Sequence, residues 1–541
     1  MISIDQNSHS LWDVIPKLHA LAAGGRQVRH YVEDIDVAFT CLGCHAQGQG
    51  PGLALARERY HRSGGQDWGA ALFYCEFLGR LPVEVRDWEP FTGMSTKALA
   101  KELSLGVDDL YDQFSPGDNW QLIGSSYIGD QQHHRVIGDL TVAETAGFLR
   151  QVMDRARQDC LLRFPQAASR KRTEEWFAQE QARMEGLIDR CAGGRLVDLY
   201  RAWLEQYLPP TAQVALTSSL PCLHGGSGME LLEAFLADYA GAAGLYNQAL
   251  AETRTGQHPL QTDQGELPFF AVMDHHGHLV RAACRLDGAD LRICERGFPL
   301  APGRRLPMDA LAAAGVRCLA GKAILLVIQV RLAPQGQPLA LPHWGSVYMP
   351  AAHRLADKLA EAGMLSAPLE PVIRVRFRLL DRLAGCKTVI RLPEHLASAF
   401  GQEEIAAERL AEGWQVLAQQ AGRRLEDFRA EPDRRQWQED AFPDIHRRMV
   451  ELEAARRRQA QHDPKAPEIR ELWRQHKALK IQVLAGTVRQ IARDWQVSRI
   501  DYWDSRGALL PWGLALGGKD FYDRLVGQAE IYEERGQPAR E

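Results

Sequence analysis

The feature that most constrains the fold is a local order of elements that occurs twice: an apolar run, a glycine-rich loop and a helix. In the first copy, "DIDVAFTCL" (34–42) is predicted to be a buried strand, and "LALARERYHR" the helix after the loop. In the second copy, "TAQVALTSSLPCLHGGSG" leads into "MELLEAFLADYAGAAGLYNQAL". Since strand, glycine loop and helix begin a βαβ unit, the sequence predicts an α/β fold.

Bulk composition narrows the class of protein. The chain has 541 residues, is 45% hydrophobic and 25% charged, and so can bury the cores of two or three domains. A net charge of −5 argues against a nucleic-acid partner. The N-terminus lacks a charged segment followed by an apolar run, and the longest apolar run, "AILLVIQV", is too short to cross a bilayer. These features predict a cytoplasmic protein with no membrane partner.

The segment Cys41-Leu-Gly-Cys44-His45 matches the short pattern for covalent haem attachment. Such haem is attached outside the cytoplasm, and the chain shows no export signal. A zinc site would need two further ligands at matching spacing, and the sequence has no second C-x-x-C. We therefore expect neither haem nor structural zinc, and we expect the cysteines to be free thiols.

The first glycine-rich loop is a candidate anion site formed by Gln47, Gly48 and Gly50. Glycines allow backbone N–H groups to approach a ligand, and a helix N-terminus favours phosphate or carboxylate. The strict G-x-G-x-x-G pattern is not met, because Leu53 stands where the third glycine would be. An ordinary glycine-rich turn explains the loop equally well.

The second glycine-rich loop is a candidate oxyanion hole or phosphate site. Its predicted ligand-binding residues follow a strand and precede a helix: Ser218, His224, Gly225, Gly226 and Ser227. The nucleophile-elbow pattern G-x-S-x-G fails here, because Met229 occupies the position of the last glycine. The alternative is a loop that only caps the helix.

Three histidines are the predicted catalytic residues. His133 and His134 end a strand-like run, where loops of open α/β sheets bind ligands, and could transfer protons or bind a metal. His343 lies in "LPHWGSVYMP", where Trp344 and Ser346 could stack against a ring or orient a polar substrate. The alternatives are an exposed polar loop and a packed loop. The histidines of "DHHGH" (274–278) are predicted to lie at a hairpin tip rather than around a metal.

The remaining segments give the domain organisation. "AGKAILLVIQVRL" is predicted to be a central buried strand, and "IRVRFR" (373–378) a strand whose arginines share one face. Those arginines could bind a polyanion, but pairing with acidic neighbours is the more common arrangement. The predicted regions are 1–140 and 211–393, two parts of an α/β core; 141–210, a helical insertion; and 394–541, a helical C-terminal region.

The C-terminal region contains a predicted long amphipathic helix. Its apolar face is formed by Ile469, Leu472, Leu484, Val488, Ile491 and Trp495. With an earlier helix, it predicts an antiparallel helical arm that serves docking or forms a homodimer.

The order of elements resembles that of bacillithiol synthase, the cysteine-adding enzyme family. "LVDLYRAWLEQYLPPTAQVALTSSLP" and "LYNQALAETRTGQHPLQTDQGELPFFAVMDHHGHLVRAACRL" carry the resemblance, which covers about half of the chain. "CHAQGQGPGL" and "YIGDQQHHR" stand where that family has a glycine- and glutamine-rich loop and a histidine-containing strand end. The resemblance implies a Rossmann-like core with a C-terminal antiparallel coiled coil. Because "LPHWGSVYMP" replaces a glycine-rich stretch of the family, the resemblance does not extend to the substrate.

The leading functional prediction is a cytoplasmic enzyme with a Rossmann-like core that binds a small anionic or nucleotide-like ligand. The resemblance implies a ligase-like or condensing reaction. No cofactor is identified by a motif, although a nucleotide fits the predicted loops. Two alternatives stay open at this point: a non-catalytic scaffold that uses its C-terminal helical arm, and a metal-dependent hydrolase that uses the histidines.

Overall fold

The chain forms a mixed α/β structure. The computed structural model describes residues 1–5, 8–36, 71–81, 91–106, 110, 133–255, 257–346, 348–365, 367–430 and 434–534. Its strands are β1 (Ile2–Ile4), β2 (Ser8–Ser10), β3 (Val28–Val32), β4 (Ala71–Phe73), β5 (His133–Arg135), β6 (Ala212–Leu216), β7 (Glu266–His275), β8 (His278–Asp287), β9 (Asp290–Ile293), β10 (Arg296–Pro299), β11 (Val316–Gly321), β12 (Leu339–Pro342), β13 (Val372–Arg376), β14 (Val389–Arg391), β15 (Glu404–Ala406) and β16 (Glu530–Glu533).

More of the described residues lie in helices than in strands. They are α1 (Val14–Ala23), α2 (Thr96–Leu103), α3 (Val142–Arg163), α4 (Ala167–Arg190), α5 (Leu196–Glu205), α6 (Ser227–Ala237), α7 (Tyr239–Thr253), α8 (Met308–Ala313), α9 (Ala323–Gln329), α10 (Met349–Glu361), α11 (Leu379–Arg382), α12 (Glu394–Phe400), α13 (Ala407–Ala430), α14 (Arg434–Ala441), α15 (Pro443–His462), α16 (Pro467–Ser498) and α17 (Leu509–Gly527).

A six-stranded sheet organises the fold, with the order β16-β13-β12-β1-β3-β6. Strands β1, β3, β6, β12 and β13 are parallel, and β16 is antiparallel to β13. Along the chain, β1, β3 and β6 extend the sheet in one direction, whereas β12 and β13 extend it in the other. The direction of strand addition therefore reverses between β1 and β12. In open parallel sheets, ligands bind beyond the carboxyl ends of the strands at such a reversal.

Both faces of this sheet are covered, as expected for parallel strands. Side chains alternate between the faces, so Ile2 and Ile4 pack on one side together with the region that contains α6, α7, α9 and α10. That region also holds a second, antiparallel sheet in the order β10-β9-β8-β7-β11, with β5 paired to β8. Val28, Val32 and Val375 point to the other side, toward α1, the helices α3–α5, and α17.

Two sequence predictions are confirmed by these elements. Region 142–205 forms the three helices α3 to α5, which come between β3 and β6 in chain order. The hairpin of β7 and β8 turns at His276 and Gly277.

Other predictions about elements are wrong. The apolar run 323–330 forms the helix α9, not a strand; a short run that is buried on all sides has no periodicity that separates the two. A strand was predicted at 34–42, but β3 ends at Val32 and residues 34–36 follow it outside any strand. Residues 37–42 of the predicted strand lie outside the described residues. The C-terminal region also contains the strands β15 and β16, which are too short to give a pattern.

The arginine row of β13 is paired with acidic neighbours, as the commoner interpretation expects. The Arg374 guanidinium donates to both carboxylate oxygens of Glu534, at 3.0 and 3.2 Å. Arg376 pairs with Asp504 at 3.4 Å, and Arg378 with Glu530 at 2.8 Å. The end of the chain therefore supplies two of the three carboxylates, and β16 is held to the sheet by charge as well as by backbone hydrogen bonds.

A buried carboxylate in α4 joins the helical insertion to the rest of the fold. Glu180 is fully buried and accepts hydrogen bonds from the indole N–H groups of Trp203 (2.8 Å) and Trp12 (3.3 Å). Tyr207 and Arg183 also donate to this side chain. The Glu180 carboxylate therefore accepts hydrogen bonds from three parts of the chain: the N-terminal segment, α4 itself, and the segment that includes α5.

Glu180→Ala removes that acceptor and leaves buried donors without a partner. We expect it to lower the free energy of unfolding by about 3–5 kcal/mol, measured by urea denaturation. The matched control is Glu185→Ala on the same helix, because Glu185 pairs with Arg150 at the surface. That loss should stay below about 1 kcal/mol. Equal losses for the two variants would contradict the role given to Glu180.

Candidate functional site

A cavity lies at the reversal of the strand order. Seven residues line it: Ile4, Asp5, Asp13, Val14, Lys17, Pro342 and Arg506. Ile4 and Asp5 lie at the carboxyl end of β1, and Pro342 ends the neighbouring strand β12. Asp13, Val14 and Lys17 lie at the start of α1, and Arg506 precedes α17. The fold thus brings four charged side chains to the place where open parallel sheets bind ligands.

The first pair of charges in the cavity joins the two ends of the chain. The Arg506 guanidinium lies 3.2 Å from Asp13 Oδ2, and the backbone N–H of Gly507 donates to Asp13 Oδ1 at 2.7 Å. Both side chains are buried. Asp13 therefore has its charge balanced by Arg506 and holds the C-terminal segment against α1.

Asp5 belongs to a buried chain of polar groups beneath α1. His30 Nε2 lies 3.1 Å from Asp5 Oδ1, and its Nδ1 lies 3.0 Å from the hydroxyl of Ser3. Ser3 and His30 are register partners on β1 and β3, and the side chains of all three residues are buried. A serine-hydrolase triad has the carboxylate on Nδ1 and the serine on Nε2, the reverse of this arrangement. We therefore interpret the chain as the support that positions Asp5.

Lys17 is the fourth charged residue and the least compensated one. Its side chain is only 4% exposed, and in the described part of the chain no carboxylate forms an ion pair with it. Burial lowers its pKa to about 8, against the opposing effect of Asp5 and Asp13. A lysine with this pKa is partly neutral near physiological pH, so it can take up or release a proton or act as a nucleophile.

A second group of ionisable residues follows β3 at the same edge of the sheet. Asp34 accepts two hydrogen bonds from Ser218, one from its backbone N–H at 2.7 Å and one from its hydroxyl. Burial raises the pKa of Asp34 to about 6, although the Ser218 hydrogen bonds oppose the shift. Burial, with the charges of Asp36 and Asp34, also raises the pKa of Glu33 well above its usual range. The Asp34 carboxyl group at this edge can therefore exchange protons near neutral pH.

The second glycine loop reaches this edge only in part. Ser218 contacts Asp34, and His224 Nε2 lies 2.7 Å from the backbone oxygen of Ser218. Gly225 and Gly226 lead into α6; the φ of Gly226, 66°, favours glycine. Ser227 donates its hydroxyl to the Leu332 carbonyl at 2.9 Å. This geometry fits the interpretation of a loop that starts a helix.

The loop after β12 lies beside the cavity. The backbone N–H of His343 donates to Val375 at 2.8 Å, and its ring is hydrogen-bonded to the Tyr532 hydroxyl. Trp344 meets the His343 ring edge-on, with centroids 5.6 Å apart, and Ser346 is buried. Pro342, the last residue of β12, lines the cavity, and these three predicted residues come shortly after it in the chain.

The other predicted site residues stay predictions, because their side chains lie outside the described structure. His133 and His134 lie in β5, which pairs with β8 of the second sheet, and their side chains are outside the description. Gln47, Gly48 and Gly50 lie outside the described residues. His278 contacts Asp139 at 2.9 Å, beside the turn of the predicted hairpin.

Sequence reasoning missed the charged residues of the cavity. Asp5 had a weak signal, since an acid directly follows the short apolar run "ISI". Lys17 had another, because it interrupts the apolar start of α1. Nothing in the sequence links Asp13 to Arg506, which is almost the whole chain away.

Two negative findings apply to the described residues only, and a third concerns the whole chain. The described residues include no group of three His, Cys, Asp or Glu side chains that could hold a metal ion. None of their helices is long and apolar enough to cross a membrane. Comparisons with protein-family models, curated proteins and solved structures find no match to the chain.

The depressed pKa of Lys17 predicts a specific pH dependence of stability. Between its folded pKa of about 8 and the higher value of an unfolded lysine, the unfolded chain binds more protons, so raising the pH favours the folded state. Relative to Lys17→Met, wild type should gain about 2 kcal/mol of unfolding free energy from about pH 8 to about pH 10. Urea denaturation at both pH values measures the difference.

The control for that experiment is Lys519→Met, which removes an exposed lysine paired with Asp523. Its stability difference from wild type should stay nearly constant over the same pH range. A constant difference for Lys17→Met as well would contradict the burial of a poorly compensated amine.

Proposed function

We propose that the chain is an enzyme with a Rossmann-like core that binds a small anionic ligand in the crevice between β1 and β12. The strand order supports the core, since two sets of parallel strands extend outward from β1, with an antiparallel strand at one edge. The observation that carries the proposal is the cavity at the reversal, where Lys17 and Arg506 present cationic donors.

The charges of the cavity also define the ligand. Lys17 and Arg506 favour a carboxylate or phosphate, and the N-terminus of α1 adds partial positive charge. Asp5 and Asp13 bring negative charge to the same wall. A ligand with one anionic group and one amino or hydroxyl group, such as an amino acid or a sugar derivative, matches both signs. A nucleotide is the cofactor we propose, because such crevices commonly bind one.

The proposed reaction is ligase-like or condensing. Joining two molecules requires a group that removes a proton from the incoming nucleophile and one that gives a proton to the leaving group. Lys17, with a pKa of about 8, and Asp34, with a pKa of about 6, suit these roles at neutral pH. The resemblance to bacillithiol synthase supports the same reaction class. We place the protein in the cytoplasm, and the eight free cysteines among the described residues agree with a reducing compartment.

A thermal-shift screen tests this proposal with amino acids, phosphosugars, nucleotides, thiols and divalent metals. A ligand at 100 times its dissociation constant should stabilise the wild type by about 2.7 kcal/mol. We expect anionic ligands to do so, and we expect the shift to disappear in Lys17→Met but to persist in Lys519→Met. Stabilisation by a metal alone would favour the hydrolase, and no stabilisation by any compound would favour the scaffold.

A scaffold function has one observation of its own in the C-terminal helices. α15 packs against α16, yet Leu452 is its one buried residue among those described, and the buried residues of α16 begin only at Val483. The outer part of this hairpin exposes large apolar side chains, with Val450 at 53% and Trp473 at 47%. We propose that the hairpin is a coiled-coil-like arm that forms a homodimer.

Trp473→Asp should convert the dimer to a monomer, because the new charge would have to be buried in the interface. Sedimentation velocity measures the mass, and an unchanged melting temperature shows that the fold is intact. Leu162→Asp is the control, since Leu162 is equally exposed but lies on α3. A monomeric wild type would rule out the homodimer.

A further inference from the structure

The cavity between β1 and β12 contains an amine whose charged neighbours are engaged with other groups. Asp5 Oδ1 lies 3.1 Å from His30 Nε2, and Asp13 is paired with Arg506 and accepts a hydrogen bond from the Gly507 N–H. Lys17 therefore borders the cavity without an ion-pair partner among the described residues. A lysine kept only for stability would be expected to pair with one of these carboxylates.

We propose that Lys17 is a nucleophile that forms an imine with a small carbonyl compound carrying a carboxylate or a phosphate. The proposal rests on the proposed function, since it assigns a covalent step to the same cavity and the same class of anionic ligand. Buried lysines near other cations are the lysines that form such imines in enzymes. Burial supports this role, because the lowered pKa of Lys17 makes its neutral form available near neutral pH.

The chemistry needs no oxidant, reductant or second substrate. The neutral amine of Lys17 attacks the carbonyl carbon, a C–N bond forms, and the carbonyl π electrons move to the oxygen. The nitrogen loses a proton, and the oxygen gains one. A second proton then reaches the oxygen, which leaves as water while the nitrogen lone pair forms the C=N bond, and the nitrogen releases its remaining proton, which replaces the one used. The products are one imine and one water molecule.

The walls of the cavity provide the groups that these proton transfers require. Asp5 can accept the proton from nitrogen and return it to the departing oxygen, and His30 and Ser3 hold it in position from below. Arg506 brings a guanidinium to the same wall, where it can orient the anionic group of the ligand.

Reductive trapping on the full-length wild type tests the proposal directly. The probes are glyoxylate, pyruvate and glyceraldehyde 3-phosphate, each with cyanoborohydride, and peptide mass mapping locates the adduct. We expect Lys17 to be modified about tenfold faster than the exposed Lys519 near pH 8, with a rate that levels off above its pKa of about 8. Neutral propionaldehyde should show no such preference. Modification of Lys519 with Lys17 left unmodified would overturn the proposal.

Two further results separate this inference from the proposed function. Lys17→Arg keeps the positive charge but cannot form the imine, so it should retain the fold and lose the adduct. Thermal stabilisation by anions without trapping at Lys17 would refute the imine and leave the anion-binding function standing. Neither stabilisation nor trapping would contradict both, whereas trapping without stabilisation by anions would support the nucleophile and contradict the anion site.

Discussion

The parallel pairing of β1 with β3 on one side and β12 on the other is the constraint on which the rest of the structure depends. β1 has only three residues, yet it is the strand from which the sheet extends in both directions. Its alternation sends Ile2 and Ile4 to one core and Ser3 to the opposite face, where Ser3 meets His30. A shift of one residue in this register would exchange the faces and separate Asp5 from the cavity.

Burial of charge at the end of β1 has a cost that the surrounding structure only partly offsets. Asp13 and Arg506 compensate each other, and Asp5 lies 3.1 Å from His30, but Lys17 remains buried with a lowered pKa. Polar groups held in this way are a feature of ligand sites, where the ligand completes the missing interactions. Because Arg506 comes from near the other end of the chain, the cavity forms only when the whole fold has assembled.

The features that could be predicted from sequence are those with a local signal. The hairpin of β7 and β8 has its turn residues, and the helices of region 142–205 lie in a long segment that is rich in helix formers and lacks strand signals. The run 323–330 lacked such a signal, because complete burial removes the difference between helix and strand. Ser218 was predicted to lie in a ligand loop at a strand end, and the structure places it against Asp34 at that edge.

The cavity itself could not be predicted for a physical reason. Asp5 and His30 are joined across neighbouring strands, and Asp13 and Arg506 across nearly the full length of the chain. Neither contact leaves a spacing pattern in the sequence. Loops rich in glycine and histidine suggest chemistry by their residue types alone, whereas a single lysine in an apolar helix does so only when its burial is known.

The most direct test of the account is the titration of Lys17 by NMR in protein labelled with ¹³C at the lysine ε carbons, with Lys17→Arg to assign the signal. A lysine buried in the crevice should titrate with a midpoint near the folded pKa of about 8, and its signal should change when an anionic ligand is added. A midpoint near about 10.4, the value of a solvated lysine, would show that the amine is not a buried group of the crevice and would contradict the account.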